Sequence, residues 1–401
     1  MNHKTIAFRA AFLPTVLFCL LLLSGCWDNA EINGRAFVLG FGMDKSQTDG
    51  AYDFTFQLAI PVSGDSNSSG AIDYTSCTVT EPSPAAAIRV LEKNLGRQIN
   101  FEQLNIILIG EELSHESFTE LTELFFRRAS VRRQSSIAVC GGSAKDFFSS
   151  AATGNAIASD ASVALQSYDD KGGADSVTMN LHSLFKVLSN ADEFYLLKIT
   201  AASPDTMTDS SYDEASSDTS PNADGSYLLN LSGAAAYSRS GDYLGELTGH
   251  ELELLRLISG RQISGIITAE DKQSGRTVYY QIKQSHCSTK CSVDDNTPQF
   301  TIALDIQCMA ADVGNLYGDE SQESLQRAEE AIQQSLTAQL EALAAKSRQS
   351  LGSSVLGLQD TLRQRMPDWY EQNADRWEEL YAKSTIEIEV DCTVTGGGIT
   401  K

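Results

Sequence analysis

Cys26 has the clearest chemistry to offer, because Leu23-Ser24-Gly25-Cys26 places a thiol after two small residues and an apolar run. That spacing has the form of a bacterial lipobox, in which the thiol takes a diacylglyceryl group and residues 1–25 are then removed as a signal peptide. Two acyl chains, at about 0.8 kcal/mol per buried methylene, make a stable anchor. An ordinary secretory leader followed by a chance cysteine is the plain alternative. Cys19 leaves with the leader, so Cys77, Cys140, Cys287, Cys291, Cys308 and Cys392 remain. An even number of thiols outside the cytoplasm permits disulfides, and sequence alone does not choose among the pairings. Cys287 and Cys291 are the candidates for one local bridge, with Cys308 expected on a neighbouring strand. His286 beside Cys287 hints at zinc, but no second ligand pair completes a four-coordinate site, so no metal is expected.

Catalytic spacings are weaker still. His250-Glu251-Leu252-Glu253 lacks the second histidine of a zinc-protease helix and suits the first turn of an ordinary helix, where acids favour the dipole. Ser183-Leu184-Phe185-Lys186 has a Ser-x-x-Lys spacing without the accompanying Lys-Thr-Gly. Gly40-Phe41-Gly42 lacks the third glycine of a dinucleotide fingerprint, and Asp44 to Gly50 misplaces the glycine of a calcium loop. No catalytic residue and no cofactor are expected.

Two clusters remain for recognition. Arg127, Arg128, Arg132 and Arg133 fall within seven residues of an otherwise acidic chain. They suit anionic headgroups or an acidic partner surface, or else simply the end of a helix balanced by nearby acids. Tyr370, Trp377 and Tyr381 share a helical face, for core packing or for docking.

The net charge is −23, and removing Lys4 and Arg9 with the leader leaves about −25. Such a field disfavours nucleic acid and repels bare anionic lipid, which makes a covalent anchor physically sensible. Ala10 to Leu23 is too short for a comfortable membrane span and suits a signal core.

The elements that must position these residues follow from periodicity. Ala36–Met43 and the strictly alternating Tyr52–Leu58 predict a β-hairpin. A strand over Tyr74–Thr80 follows, then a helix opened by Pro82-Ser83-Pro84 and ended by Gly96. Ile106–Ile109, a helix over Ser117–Arg128 and a strand over Ser136–Cys140 give residues 80–150 an α/β character. Strands are expected at Phe194–Ile199, Leu228–Tyr237, Tyr243–Leu247, Ile263–Ala269, Thr277–Gln284 and Gln299–Met309. Leu325, Ala328, Ile332, Leu336, Leu340 and Leu343 form one apolar stripe of a long helix. Further helices and a strand over Thr385–Val394 close the chain. The whole reads as a multi-domain α+β or mixed α/β protein, with an N-terminal α/β region and C-terminal antiparallel strands beside a long-helix block. Residues 26–200 form the first region, with a subdomain split near 140–150. The Ser- and Asp-rich 201–226 stretch is a linker, and 227–401 form the second region.

Several stretches resemble the Ger(x)C family, the C-subunit lipoproteins of nutrient germinant receptors in bacterial endospores. They are Gly25-Cys26-Trp27-Asp28, Gly40-Phe41-Gly42-Met43-Asp44, Phe101 to Glu112, Val355-Leu356-Gly357-Leu358, Pro367-Asp368-Trp369, Trp377 and Thr395-Gly396-Gly397. The resemblance implies an extracytoplasmic, non-enzymatic protein held in the inner spore membrane by lipid on Cys26. It also implies two integral membrane partners, the A-type and B-type subunits. Whether this subunit itself contacts germinant is left open. A transport-type solute-binding lipoprotein is the rival, and it needs two parallel-sheet lobes around a cleft.

Overall fold

β1 (Arg35–Lys45) and β2 (Tyr52–Pro61) pair antiparallel, and β3 (Ile72–Glu81) adds to the outer edge of β2. The computed structural model describes residues 34–61, 72–116, 118–127, 131–150, 179–190, 193–202, 228–238, 240–259, 265–271, 276–310, 322–352 and 354–395. Cys26, Arg128 and all but the first two residues of the 201–226 stretch lie outside those residues.

The chain then builds inward from β1. α1 (Pro84–Leu95) starts with Ser83, whose hydroxyl accepts the Ala86 N–H, and with Pro84, whose missing N–H costs nothing there. It ends at Gly96, at φ 62°, where a side chain would be strained. β4 (Gln98–Asn100) and β5 (Ile106–Gly110) both lie parallel to β1. α2 (Glu111–Ser114) and α3 (Thr119–Arg127) lead to β6 (Ser136–Cys140), and α4 (Ala144–Ser150) follows it. After α5 (Leu181–Asn190), β7 (Phe194–Ala202) pairs parallel to β6. β8 (Leu228–Tyr237) and β9 (Tyr243–Thr248) then add antiparallel. The result is one nine-stranded sheet, ordered β3-β2-β1-β5-β6-β7-β8-β9 with β4 beside β1. The sheet therefore runs past the 201–226 stretch and takes its last two strands from the second region.

Strand alternation divides the sheet's side chains between two cores. Phe41, Met43, Ile107, Ile109, Val139 and Leu196 face one way, with Ala87, Leu91, Phe125 and Leu184 of the covering helices. Ile106, Leu108, Ala138, Leu197 and Ile199 face the other way, where Phe147 and Phe148 of α4 join them. Each fully buried side chain of this size contributes about 1.5–3 kcal/mol.

That second core continues into the rest of the molecule. α6 (Gly249–Ile258) opens with a reciprocal capping box between Thr248 and Glu251. β10 (Ile266–Asp271), β11 (Arg276–Asp294) and β12 (Thr297–Ala310) form an antiparallel run. Asp295 and Asn296, at φ 43° and 60°, turn β11 into β12 as a two-residue hairpin demands. α7 (Gln322–Lys346), α8 (Leu358–Arg365), α9 (Pro367–Asn373) and α10 (Trp377–Ala382) then cross over, so β13 (Thr385–Thr395) joins β12 parallel. Ile332, Leu336, Leu340 and Leu343 of the expected stripe are buried, and Leu325 and Ala328 are partly so. Trp377 and Tyr381 are buried in the same core, with Tyr370 stacked edge-on against Trp377. The fold class is mixed α/β, as the patterning indicates.

One correction concerns the thiols. The strand expected over Thr277–Gln284 runs on to Asp294, so Cys287 and Cys291 lie on β11 itself, opposite Leu304 and Phe300. Four residues of extended chain separate them by about 13 Å, against a limit of about 7 Å for a disulfide. Both are free cysteines, half-buried against the core.

Candidate functional site

Four strands run parallel through the middle of the first sheet, and their carboxyl ends gather polar groups from distant parts of the chain. That edge is where open α/β sheets commonly bind ligands. Asp44 stands at the end of β1 and is 7% exposed. Its two carboxylate oxygens accept the N–H groups of Ala144 and Lys145, at 2.8 and 2.9 Å, and so cap α4. Burial pushes its carboxyl above the usual aspartate range, offset only in part by those N–H groups. Gly42, two residues earlier, leaves room for the helix, since a Cβ there would lie 2.9 Å from that of Ala144. Gly110 does the same for the cap, because a Cβ on it would collide with the Asp44 carboxylate.

Glu111 follows directly after β5. Its carboxylate accepts the Gly142 N–H at 2.8 Å and binds the Lys198 ammonium at 2.5 Å. Lys198, on β7, also reaches Glu246 of β9 at 3.1 Å, and its side chain is only 8% exposed. Burial pulls the lysine down, but the hydrogen bonds and charges of Glu111 and Glu246 outweigh it and leave its pKa raised. Burial likewise pushes Glu111 up, yet Lys198 and the Gly142 N–H leave it below the ordinary glutamate range. His115 lies 3.7 Å from Glu246 and packs its ring on Tyr243, with centroids 4.3 Å apart.

Chemically this is a latch. Lys198 is held protonated and doubly paired, which is the opposite of what a nucleophilic or Schiff-base lysine needs. Cys140, next to the cluster, has its thiol pushed up by burial and by Asp44 and Glu111, so it is an inert sulfur. The cluster ties β1, β5, β6, β7 and β9 together at one edge. Sequence reading missed it because its members are far apart along the chain, although Asp44 and Glu111 each sit inside a stretch that carried the family resemblance.

The residues singled out from sequence fall elsewhere. Arg127, Arg132 and Arg133 are exposed near the start of β6, at the opposite edge of the sheet. Cys287 and Cys291 lie on β11, where burial pushes the Cys287 thiol up to about 11 and raises Cys291 as well. Cys308 and Cys392 share a thiol hydrogen bond between β12 and β13. Their register is diagonal, Cys308 lying beside Val394 and Cys392 beside Ile306, and both are free thiols. Among the described residues, no group of three or more His, Cys, Asp or Glu side chains is placed to hold a metal ion. Nor is any described helix long and apolar enough to cross a membrane.

The fold and this edge define a two-sheet α/β protein whose buried charges brace the scaffold. The family profile described as the spore germination protein N-terminal domain matches residues 28–201. The profile described as spore germination B3/GerAC like, C-terminal, matches residues 232–398. The chain belongs to the GerAC family of spore germination proteins. It is 22% identical to spore germination protein B3 of Bacillus subtilis (strain 168), over 97% of this chain and 98% of that one. It is also 22% identical to spore germination protein A3 of the same organism, over 73% and 71% of the two chains. The crystal structure of the GerBC protein has the same fold, with a TM-score of 0.56 at 18% identity, over 88% of this chain and 96% of that one.

Proposed function

We propose that the chain is the lipid-anchored C-type subunit of a nutrient germinant receptor, with a non-enzymatic role in triggering spore germination. Its partners in this reading are two integral membrane subunits, the A-type and B-type, and its place is the extracytoplasmic face of the inner spore membrane. The observation that carries the reading is the order of parts: Leu23-Ser24-Gly25-Cys26 stands directly ahead of the two GerAC regions. Lipid on Cys26 holds the folded part against the membrane at high effective concentration relative to its partners. The self-satisfied latch at Lys198 supports a scaffold role over a catalytic one. A solute-binding lipoprotein needs a cleft between lobes, and the apolar core that runs unbroken from Ala138 to Ile302 weighs against one.

The test is germination of spores carrying Cys26→Ala, with fractionation of the protein. The expected result is loss of membrane association together with loss of the nutrient response, while a receptor-independent trigger still works. A full nutrient response from a protein released into the soluble fraction would sink the reading.

A further inference from the structure

The amino ends of the parallel strands present a surface of opposite character to the latch. Arg127 ends α3 with its side chain 77% exposed, paired with Glu123 one turn back. Arg132 and Arg133 are exposed in the turn before β6, and their carbonyls are taken by the N–H groups of Ser135 and His182. α5 packs beside α3 there, and Phe185 of α5 meets Phe126 of α3 at 5.4 Å between centroids. Phe185 is 44% exposed, and Lys186 next to it is exposed as well. Residues 126–135 and 181–190 contain no Asp or Glu in a chain of net charge −23. A basic rim around a partly exposed aromatic pair is the composition of a surface that meets a bilayer interface.

On the anchor reading, the tether to the membrane leaves the folded part at this end. Gly40 of β1 is level with Ile106 of β5, and Ile106 with Ser136 of β6. β1 starts five residues before that level, so Arg35 projects about 16 Å past it, on the same side as Arg132 and Arg133. Nine residues link Arg35 to Cys26, a reach of at most about 30 Å. Resting on the anchor reading above, we propose that Arg127, Arg132, Arg133 and Lys186, with Phe126 and Phe185, dock the first sheet's amino end onto anionic phospholipid headgroups. The anchor then supplies attachment, and the patch supplies orientation, turning the latch edge away from the membrane. Overall acidity opposes close approach of every other face, and at physiological salt each charge acts over only about 8 Å.

The experiment uses the full lipidated chain on phosphatidylcholine vesicles with and without phosphatidylglycerol. Flotation with phosphatidylcholine alone reads the anchor. Amide hydrogen exchange over 126–133 and 181–188 reads the patch. Phosphatidylglycerol is expected to slow exchange there severalfold, with the effect lost at high salt and in the Arg127→Gln/Arg132→Gln/Arg133→Gln variant. Flotation without any phosphatidylglycerol-dependent slowing overturns the docking proposal and leaves the anchor standing. Slowing that appears only when the integral membrane subunits are added overturns it in favour of a protein partner. Failure to float overturns both readings.

Discussion

The two ends of the nine-stranded sheet spend their charges differently. At the carboxyl ends, Asp44, Glu111, Lys198 and Glu246 are bonded to one another or to backbone N–H groups, and Asp44 and Lys198 are nearly closed to water. At the amino ends, Arg132, Arg133 and Lys186 are exposed, and Arg127 has only a neighbour on its own helix. Charge withdrawn from water must be paired to be tolerated, and once paired it fixes geometry. Charge left in water stabilises little and stays free to meet something else. The carboxyl end is therefore read as structure and the amino end as surface.

That contrast is broken most readily at Lys198. Replacing it with Met leaves Glu111 and Glu246 facing each other without their cation, and should cost roughly 2–3 kcal/mol, measured as a lowered urea midpoint. That is below the figure for a fully buried pair because both carboxylates are over a third exposed. Because the lysine's pKa is raised, its contribution is fully present below the ordinary lysine value and is lost as pH rises through the raised one. The Met variant should lack that part of the alkaline destabilisation. A variant as stable as the parent would show that the latch braces nothing. Gly110→Ala comes next, at about 2 kcal/mol, since the new Cβ must displace the Asp44 carboxylate from the start of α4. Its checkable signature is faster hydrogen exchange at Ala144 and Lys145, which would lose their acceptor.

Much of the scaffold was legible because its signals are local. The β1–β2 hairpin showed itself by alternation, α1 by Ser83, Pro84 and Gly96, and α7 by its stripe. The second half of β11 was not, because residues 285–294 are mostly Ser, Thr, Lys, Cys and Asp, polar on a strand whose pairing with β12 is what holds it extended. The same omission suggested a disulfide within a single strand. The latch was illegible for a different reason: Lys198 lies 87 residues from Glu111 and 48 from Glu246, so no spacing announces it. The arginine cluster was plain as a cluster, but only strand direction shows which end of the sheet it occupies. Cys26 lies outside the described residues, and its lipidation is what the spore experiment tests.

Glu111→Gln is expected to cost about 1 kcal/mol at neutral pH, a modest figure because the side chain is over a third exposed. The cost should depend on pH in one direction. Glu111 titrates below the ordinary glutamate value in the folded chain, so its contribution is present above about pH 4.5 and is lost as pH falls through its lowered value. Urea midpoints of parent and variant should therefore converge in acid. A constant gap would mean that the amide's altered hydrogen bonding, rather than lost charge, sets the cost.

The smallest expected effect carries the other half of the comparison. Replacing Arg127, Arg132 and Arg133 together with Gln should shift stability in solution by less than about 0.5 kcal/mol, because the three side chains are exposed. Arg127 gives up only an ion pair of the i,i+4 kind, worth about 0.3–0.5 kcal/mol. Losing three positive charges also raises the net negative charge, whose self-repulsion is spread over the whole surface and screened by salt. An unchanged urea midpoint would establish that these arginines are not retained for folding, so any loss on anionic vesicles or in spores belongs to recognition. A loss as large as that of Glu111→Gln would make the amino end as structural as the carboxyl end, and the two edges would no longer differ in kind.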